Sequence, residues 1–189
     1  MFIVFEGIDG TGKSTQVNLL ADALRQQGRE VVTSKEPTDG PHGTRLRQSA
    51  DTGRLSPQEE LDLFHLDRKE HIASLIKPSL ERGAFVILDR YFFSTMAYQG
   101  VRGFDPLEIR RINEEFAPLP DHVFLLELDL DTALDRIGVR DGEANEFEQR
   151  ESLQKCHEVF AALDDDFIHR VDAGQTPEKV HEGVLSHLS

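Results

Sequence analysis

Eight residues near the start of the chain, Gly7-Ile8-Asp9-Gly10-Thr11-Gly12-Lys13-Ser14, limit what it can fold into more than any other segment. Two glycines five positions apart, followed by Lys and Ser, match the spacing of a phosphate-binding loop, and that motif has meaning only between a strand and a helix. Both are predicted here. The apolar run Phe2-Ile3-Val4-Phe5, closed by Glu6, reads as a strand. From Lys13 to Gln27, the residues Val17, Leu20, Ala21 and Leu24 fall on one helical face, with Gly28 as the stop. In such a loop the glycines let backbone N–H groups converge on phosphate oxygens with no Cβ in the way. The helix N-terminus adds about half a positive charge. Lys13 is then expected to reach the β and γ phosphates of a nucleotide, and the Ser14 hydroxyl to bind Mg²⁺. The competing reading is a glycine-rich turn with no ligand; strand, helix, Lys13 and Ser14 all being in place weigh against it.

The rest of the chain keeps alternating short apolar runs with longer amphipathic stretches. Further strands are predicted at Val31 to Ser34, Phe85 to Leu88, Val123 to Leu128 and Phe167 to Val171, mostly apolar on both faces, as in a parallel sheet covered on both sides. The longest helix should open at Ser56-Pro57-Gln58-Glu59, with Ser56 as cap, Pro57 first in the helix and Glu59 as the returning carboxylate. It carries Leu61, Phe64, Arg68, Ile72 and Leu75 on one face, meets Pro78 and should stop near Gly83. Asp105-Pro106-Leu107-Glu108 repeats that start. Helices are also predicted over Thr132 to Ile137, over Phe147 to Leu163 and from Thr176-Pro177. The alternation argues an α/β fold with a doubly wound sheet.

At 189 residues the chain fits one domain, and no linker or repeat divides it. Lys and Arg total 21 against 35 Asp and Glu, a net charge of -14, which excludes an overall basic coat for nucleic acid. The single cysteine, Cys156, rules out an intrachain disulfide and reads as a packing thiol; the eight histidines, His65 and His71 included, show no metal-ligand spacing. The N-terminal apolar run is short and has no basic leader, so neither a membrane segment nor a targeting signal is read, and a soluble, cytoplasmic protein is expected.

Three further features carry chemistry. Asp9 is a carboxylate inside a loop of phosphate-binding amides; it faces either a second substrate or solvent. Asp89-Arg90-Tyr91 follows a predicted strand, and ligands of open α/β sheets lie beyond the carboxyl ends of the strands. Asp89 could there hold Mg²⁺ or its water and Arg90 clamp a phosphoryl group; the pair could equally cap the strand. Phe64 and Arg68 lie four apart on one helical face, able to stack on a planar base and bond its edge, or else to be a core Phe and a surface Arg.

Together these residues resemble a known family. Gly7 to Thr15, Glu36-Pro37, Phe64 with Arg68 and His71, and Asp89-Arg90-Tyr91-Phe92-Phe93-Ser94-Thr95-Met96-Ala97-Tyr98-Gln99-Gly100 look like thymidylate kinase, in order and separation, from residue 1 to about 180. The resemblance implies a P-loop kinase fold: a five-stranded parallel sheet flanked by helices, as a single domain over 1–189 with a mobile lid at about 138–148. It implies transfer of the ATP γ-phosphoryl group to dTMP with Mg²⁺, and a homodimer. Carried over by position, Phe64 stacks on thymine and Arg68 bonds its carbonyl. Glu36 and Pro37 belong to the dTMP site, Arg47 and Arg90 lie near the monophosphate, and Thr95 and Gln99 near the base. Tyr98 crowds the sugar 2′ position, and Asp9 meets the 3′ hydroxyl. Gly7, Ile8, Asp9, Gly10, Thr11, Gly12, Lys13, Ser14 and Thr15 form the ATP loop, Arg136 packs on adenine, and Ala173 and Gln175 flank it. Lys13, Asp89, Arg90 and Arg140 are the catalytic set, and Ser14 with Asp89 the metal ligands. Gly10 stands where one class of the family has a loop arginine, so the second class, with basic residues in the lid, is implied. Between Val139 and Glu146 the only arginine is Arg140, with Arg150 in reserve. Two readings stay beside this one: another pyrimidine monophosphate as acceptor, such as dUMP, or a nucleotide-binding regulator with little turnover.

Overall fold

The structure is a computed structural model of the chain, and it describes residues 1–53, 55–141 and 146–188. The chain starts in the middle of its sheet. Strand β1 (Phe2–Glu6) is buried along its whole length and pairs in parallel with β3 (Phe85–Asp89) on one side and β4 (His122–Glu127) on the other. The outer strands, β2 (Val31–Lys35) and β5 (Ile168–Asp172), complete the order β2-β3-β1-β4-β5. All pairings among the described residues are parallel, so every strand points the same way and the loops after them meet at one edge. Beside β1 the connections diverge, toward β3 and β2 on one side and β4 and β5 on the other. This is the switch point where open α/β sheets hold ligands. The P-loop leaves β1 there and enters helix α1 (Lys13–Gln26).

The observed strand ends differ slightly from those read off the sequence. β4 begins at His122 and stops at Glu127, and β5 runs one residue later than expected. The ladder explains the second shift, because the Phe167 carbonyl already accepts from the Val123 N–H (2.8 Å) before β5 proper begins. Helix α3 (Pro57–His71) starts as expected. Ser56 accepts from the Glu59 N–H, and the Glu59 carboxylate accepts from the Ser56 N–H (3.1 Å). It does not continue as one α-helix. Ile72–Ile76 is a π-helical turn, followed by α4 (Lys77–Glu81). Pro78 has no N–H to donate four residues back and its ring crowds that carbonyl, so the ladder widens just before it.

Two helices were not anticipated, α2 (Pro41–Thr52) and α5 (Phe92–Val101). Helix α5 is buried almost all round, which leaves no amphipathic period to read, and Tyr91 at its N-cap gives no side-chain cap. In α6 (Pro106–Glu114) Asp105 caps the Leu107 N–H (2.9 Å), but Glu108 turns to Arg111 instead of returning to the cap. Helix α7 (Leu130–Asp141) is longer than expected at both ends. Asp129 caps it from the Thr132 N–H (2.9 Å), and Gly138 is absorbed into the helix at a cost of about 1 kcal/mol instead of ending it. Helix α8 (Glu146–Ala161) follows, then α9 (Pro177–Ser186). The stretch read as lid is therefore helical at 138–141 and again at 146–148, while 142–145 lie outside the described residues. Cys156, on α8, is fully buried and free, as its reading as a packing thiol requires.

Candidate active site

The donor loop is fixed by backbone contacts that only glycine allows. Gly7 has φ 137°, and a Cβ there would lie 2.5 Å from the Leu126 carbonyl oxygen. Gly10 has φ 83°, and its Cβ would lie 2.8 Å from the Ala133 carbonyl of α7. An arginine at position 10 would thus meet both an unfavourable φ and the backbone of α7. Lys13 is buried under the loop, donating to the carbonyls of Gly7 (3.1 Å) and Ile8 (2.7 Å) and to Thr11 Oγ1 (3.3 Å). Burial, and secondarily the charge of Arg90, lower its pKa from the ordinary lysine value. Ser14 Oγ, on the first turn of α1, donates to Asp89 Oδ2 at the end of β3; Thr15 beside it is exposed. The two oxygen-bearing side chains read as metal ligands are thus in contact. Two hard oxygen donors side by side suit Mg²⁺.

A cavity of about 240 Å³ opens on the β3 side of the loop. Its wall toward the loop is built around Arg90, which sits at φ 72°, a conformation uncommon for any residue but glycine. Arg90 Nη2 donates to Asp9 Oδ1 (2.7 Å) and Nη1 to Ser94 Oγ (2.9 Å) and the Gly7 carbonyl (3.3 Å). Tyr98 Oη donates to the other Asp9 oxygen (3.0 Å), and burial holds its phenol above the ordinary pKa, as a neutral donor. Asp9 thus lines the cavity, tied to Arg90 by one oxygen and to Tyr98 by the other.

The far wall inverts the bland expectation of a core Phe and a surface Arg. Arg68 is 1% exposed, whereas Phe64 is half-buried and lines the cavity. The guanidinium is divided among Glu36 Oε2 (2.8 Å from Nε), Asn113 Oδ1 (2.6 Å) and Thr95 Oγ1 (2.9 Å), and it lies over the Tyr91 ring. The other Glu36 oxygen is 3.0 Å from His71 Nδ1, and His71 Nε2 is 2.8 Å from Ser34 Oγ. Glu36 and Pro37 line the cavity too, but both carboxylate oxygens of Glu36 are committed to the protein. Gln99 is equally buried, and its Oε1 has no hydrogen-bond partner among the described residues.

The remaining candidates lie around these two centres. Arg47, exposed on α2, donates to the Pro37 carbonyl (2.8 Å) and to Asp39 (2.9 Å) and does not line the cavity. Arg136, on α7, bridges the Gly10 carbonyl (3.2 Å) and the Ala173 carbonyl (3.2 Å), joining the P-loop to the turn after β5. In that turn Asp172 accepts from the Gly174 N–H (2.8 Å) and from Gln175 (3.2 Å). The side chain of Arg140 lies outside the described residues; Arg150, on α8, pairs with Asp131. Sequence reasoning missed Glu6, Ser94, Asn113 and the bridging role of His71. Ser94 and His71 stood in the family-like motifs with no role assigned, and Glu6 offered a signal as a charged residue closing an otherwise apolar central strand.

Comparison with known proteins follows this geometry. The family model for thymidylate kinases matches residues 5–184. A thymidylate kinase of Akkermansia muciniphila is 52% identical over 187 residues, covering 99% of this chain and 90% of the relative. One from Xanthomonas campestris pv. campestris is 50% identical over 193 residues, covering 100% and 85%. One from Xanthomonas oryzae pv. oryzae is 48% identical over 180 residues, covering 95% and 79%.

Proposed function

The chain belongs to the thymidylate kinase family, and from that premise we propose how its residues divide the work of phosphorylating dTMP with ATP. The reaction itself follows from membership: an oxygen of the dTMP phosphate attacks the γ-phosphorus, the bond to ADP breaks, and dTDP and ADP leave. Neither another pyrimidine acceptor nor a regulator without turnover is favoured by that membership. Catalysis of such a transfer is mostly positioning and electrostatic stabilisation, so each residue's role reduces to what it holds in place.

The observation that carries the assignment is the pairing of Gln99 and Arg68 in the cavity beside Phe64. A buried amide oxygen with no partner is costly, by about 1–3 kcal/mol, unless a ligand supplies a donor. The N3–H of thymine is such a donor, Arg68 is fixed to meet a ring carbonyl, and Phe64 offers the stacking face. Asp9 and Tyr98 take the sugar: the carboxylate pairs with the 3′ hydroxyl, and the tyrosine leaves no room for a 2′ hydroxyl. Arg90 faces the phosphate of dTMP from the loop side, and Arg47 approaches it from α2 behind Pro37, whereas Glu36 serves through Arg68. On the donor side residues 7–15 hold the ATP phosphates, Lys13 reaching the transferring group, while Arg136, Ala173 and Gln175 bracket adenine. Ser14 and Asp89 would hold Mg²⁺, which when bound neutralises phosphate charge.

Arg140 is the proposed cation for the transferring phosphoryl group, since Gly10 cannot serve. A single domain with its lid at about 138–148, a homodimeric assembly and a cytoplasmic location complete the proposal. No helix among the described residues is long and apolar enough to cross a membrane. Light scattering after size exclusion tests the dimer. The test of the site is steady-state turnover with dTMP, its 3′-deoxy analogue and ribothymidine monophosphate. Both analogues should have much lower kcat/KM: the 3′-deoxy analogue lacks the hydroxyl that the Asp9 carboxylate is there to meet, and ribothymidine monophosphate brings a 2′ hydroxyl against Tyr98. Equal kcat/KM for all three would remove Asp9 and Tyr98 from the assignment.

A further inference from the structure

We propose that Glu6 and Ser94 form a positioning pair that aims Arg90 at the acceptor phosphate and ties the ATP loop to the helix that reads dTMP. The proposal rests on the role given to Arg90 above. Glu6 is the last residue of β1, directly before the P-loop, and is fully buried. Its Oε1 accepts from the N–H groups of Tyr91 (2.7 Å) and Ser94 (3.2 Å), and its Oε2 accepts from the Ser94 hydroxyl (2.5 Å). Helix α5 has no cap of its own, so a carboxylate some 85 positions away in sequence caps it. That helix carries Thr95, Tyr98 and Gln99 into the dTMP cavity.

The polarity of the chain of bonds is what makes it specific. A guanidinium only donates, so the Ser94 oxygen must accept from Arg90 Nη1 (2.9 Å), and the Ser94 proton is left to point at its other partner, Glu6 Oε2. Arg90 is thereby fixed at a second point besides Asp9, with a backbone conformation that the same cap holds. The other end of the link is the donor loop. Gly7, the residue after Glu6, gives its carbonyl to both Arg90 Nη1 (3.3 Å) and Lys13 Nζ (3.1 Å). A displacement of Glu6 would therefore be felt at the clamp of one substrate and the anchor of the other.

A cap alone would give the same burial, so the test separates the two roles through the hydroxyl. Ser94→Ala keeps the Ser94 N–H and its bond to Glu6 Oε1, and removes the hydroxyl that joins Glu6 Oε2 to Arg90. It should lower kcat by about tenfold or more, since misplacement of a clamp by about 1 Å can cost roughly a hundredfold, with KM for ATP nearly unchanged. Ser94→Thr should restore most of the rate. Glu6→Gln presents an amide N–H to the hydroxyl and should reproduce the loss, and the double variant Glu6→Gln/Ser94→Ala should be no slower than Glu6→Gln alone. Arg90→Ala is measured in parallel. If Arg90→Ala loses turnover while Ser94→Ala keeps full kcat, or if Glu6→Gln only lowers the melting temperature, the positioning role is wrong and Glu6 is a cap. If Arg90→Ala itself keeps turnover, the reading of Arg90 falls and this inference with it. The Ser94 pair decides the matter even if Glu6→Gln does not fold.

Discussion

Arg68→Met should do two separable kinds of damage, and their sizes follow from what surrounds the guanidinium. Met keeps much of the side-chain volume but none of the donors. The Glu36 carboxylate, 3% exposed, would be left with His71 alone, and Asn113 and Thr95 would each lose a donor. Breaking a buried ion pair by removing one partner costs about 3–5 kcal/mol. For a domain of this size each kcal/mol moves the melting temperature by about 2–4 °C, so a fall of roughly 6–20 °C is expected. The second loss is in the cavity: in the proposed site the base carbonyl would have no donor, and KM for dTMP should rise while KM for ATP stays. Differential scanning calorimetry and steady-state kinetics measure the two effects. Adding Glu36→Gln to Arg68→Met removes the stranded charge, so the double variant should be more stable than the sum of the singles by about 1 kcal/mol or more. A single variant within a degree of the parent, or strictly additive singles, would refute the claim that Glu36 is held for Arg68.

Phe64→Ala should act on binding alone: the ring is half-buried at the cavity, stacking on a base is worth about 1–3 kcal/mol in nucleic-acid sites, and KM for dTMP should rise about 5- to 150-fold in kinetics with unchanged KM for ATP. A fall in melting temperature without a change in KM would return Phe64 to the core. Arg140→Ala should lower kcat at least about tenfold with little shift in either KM, as expected for a contact made mainly in the transition state; loss of kcat in Arg150→Ala instead would move the role along α8. Acid should destabilise the fold through its histidines. His65, His169 and His181 all have pKa values lowered by burial, His65 to about 4, where Asn113 Nδ2 reaches His65 Nε2 at 3.4 Å. The unfolded chain then binds more protons below about pH 6.5, so this stability is complete above that value and is lost as pH falls toward 4. Glu6, its carboxyl raised to about 7 first by burial, works the other way between about 4.5 and 7. The informative comparison is His65→Gln, whose melting temperature should fall less steeply than the parent's between pH 6.5 and 4.5; parallel curves would contradict it.

What could be read from the sequence was what the chain encodes locally. The first strand, loop and helix carry their own period, glycine spacing and stop, and all three landed where expected. The start of α3 was equally legible because Ser56 and Glu59 cap each other within one turn. Helix α5 was hidden for the opposite reason. Its cap comes from Glu6 on another segment, and its residues, polar ones included, are buried almost all round because α6 and α8 pack against it. The shared face of Phe64 and Arg68 could be seen, but not which of them was buried. That depends on Glu36, Asn113 and Thr95, supplied by three other segments. The extension of α7 past Gly138 was missed because glycine is a weak stop that tertiary packing overrides.

The pairing of the site's cations also explains how a chain of net charge -14 can gather two polyanions. Long-range attraction is screened beyond about 8 Å in physiological salt, so the field that matters is set by groups at the site. There the cations are already partnered: Arg90 with Asp9, Arg68 with Glu36, Lys13 with two loop carbonyls. Such a site offers a nucleotide little free charge. It offers donors whose directions are fixed before the ligand arrives, which is the form of stabilisation that costs no reorganisation when charge moves. On this account the acidic partners are part of the recognition. In the proposed site Asp9 would keep its hold on Arg90 while meeting a hydroxyl, because Arg90 takes only one of its oxygens and the other is shared with Tyr98. Glu36 gives one oxygen to Arg68 and the other to His71, and so contributes orientation without repelling the phosphate directly. A surface of more positive charge would raise encounter rates for any anion, whereas paired and buried cations discriminate among nucleotides by geometry.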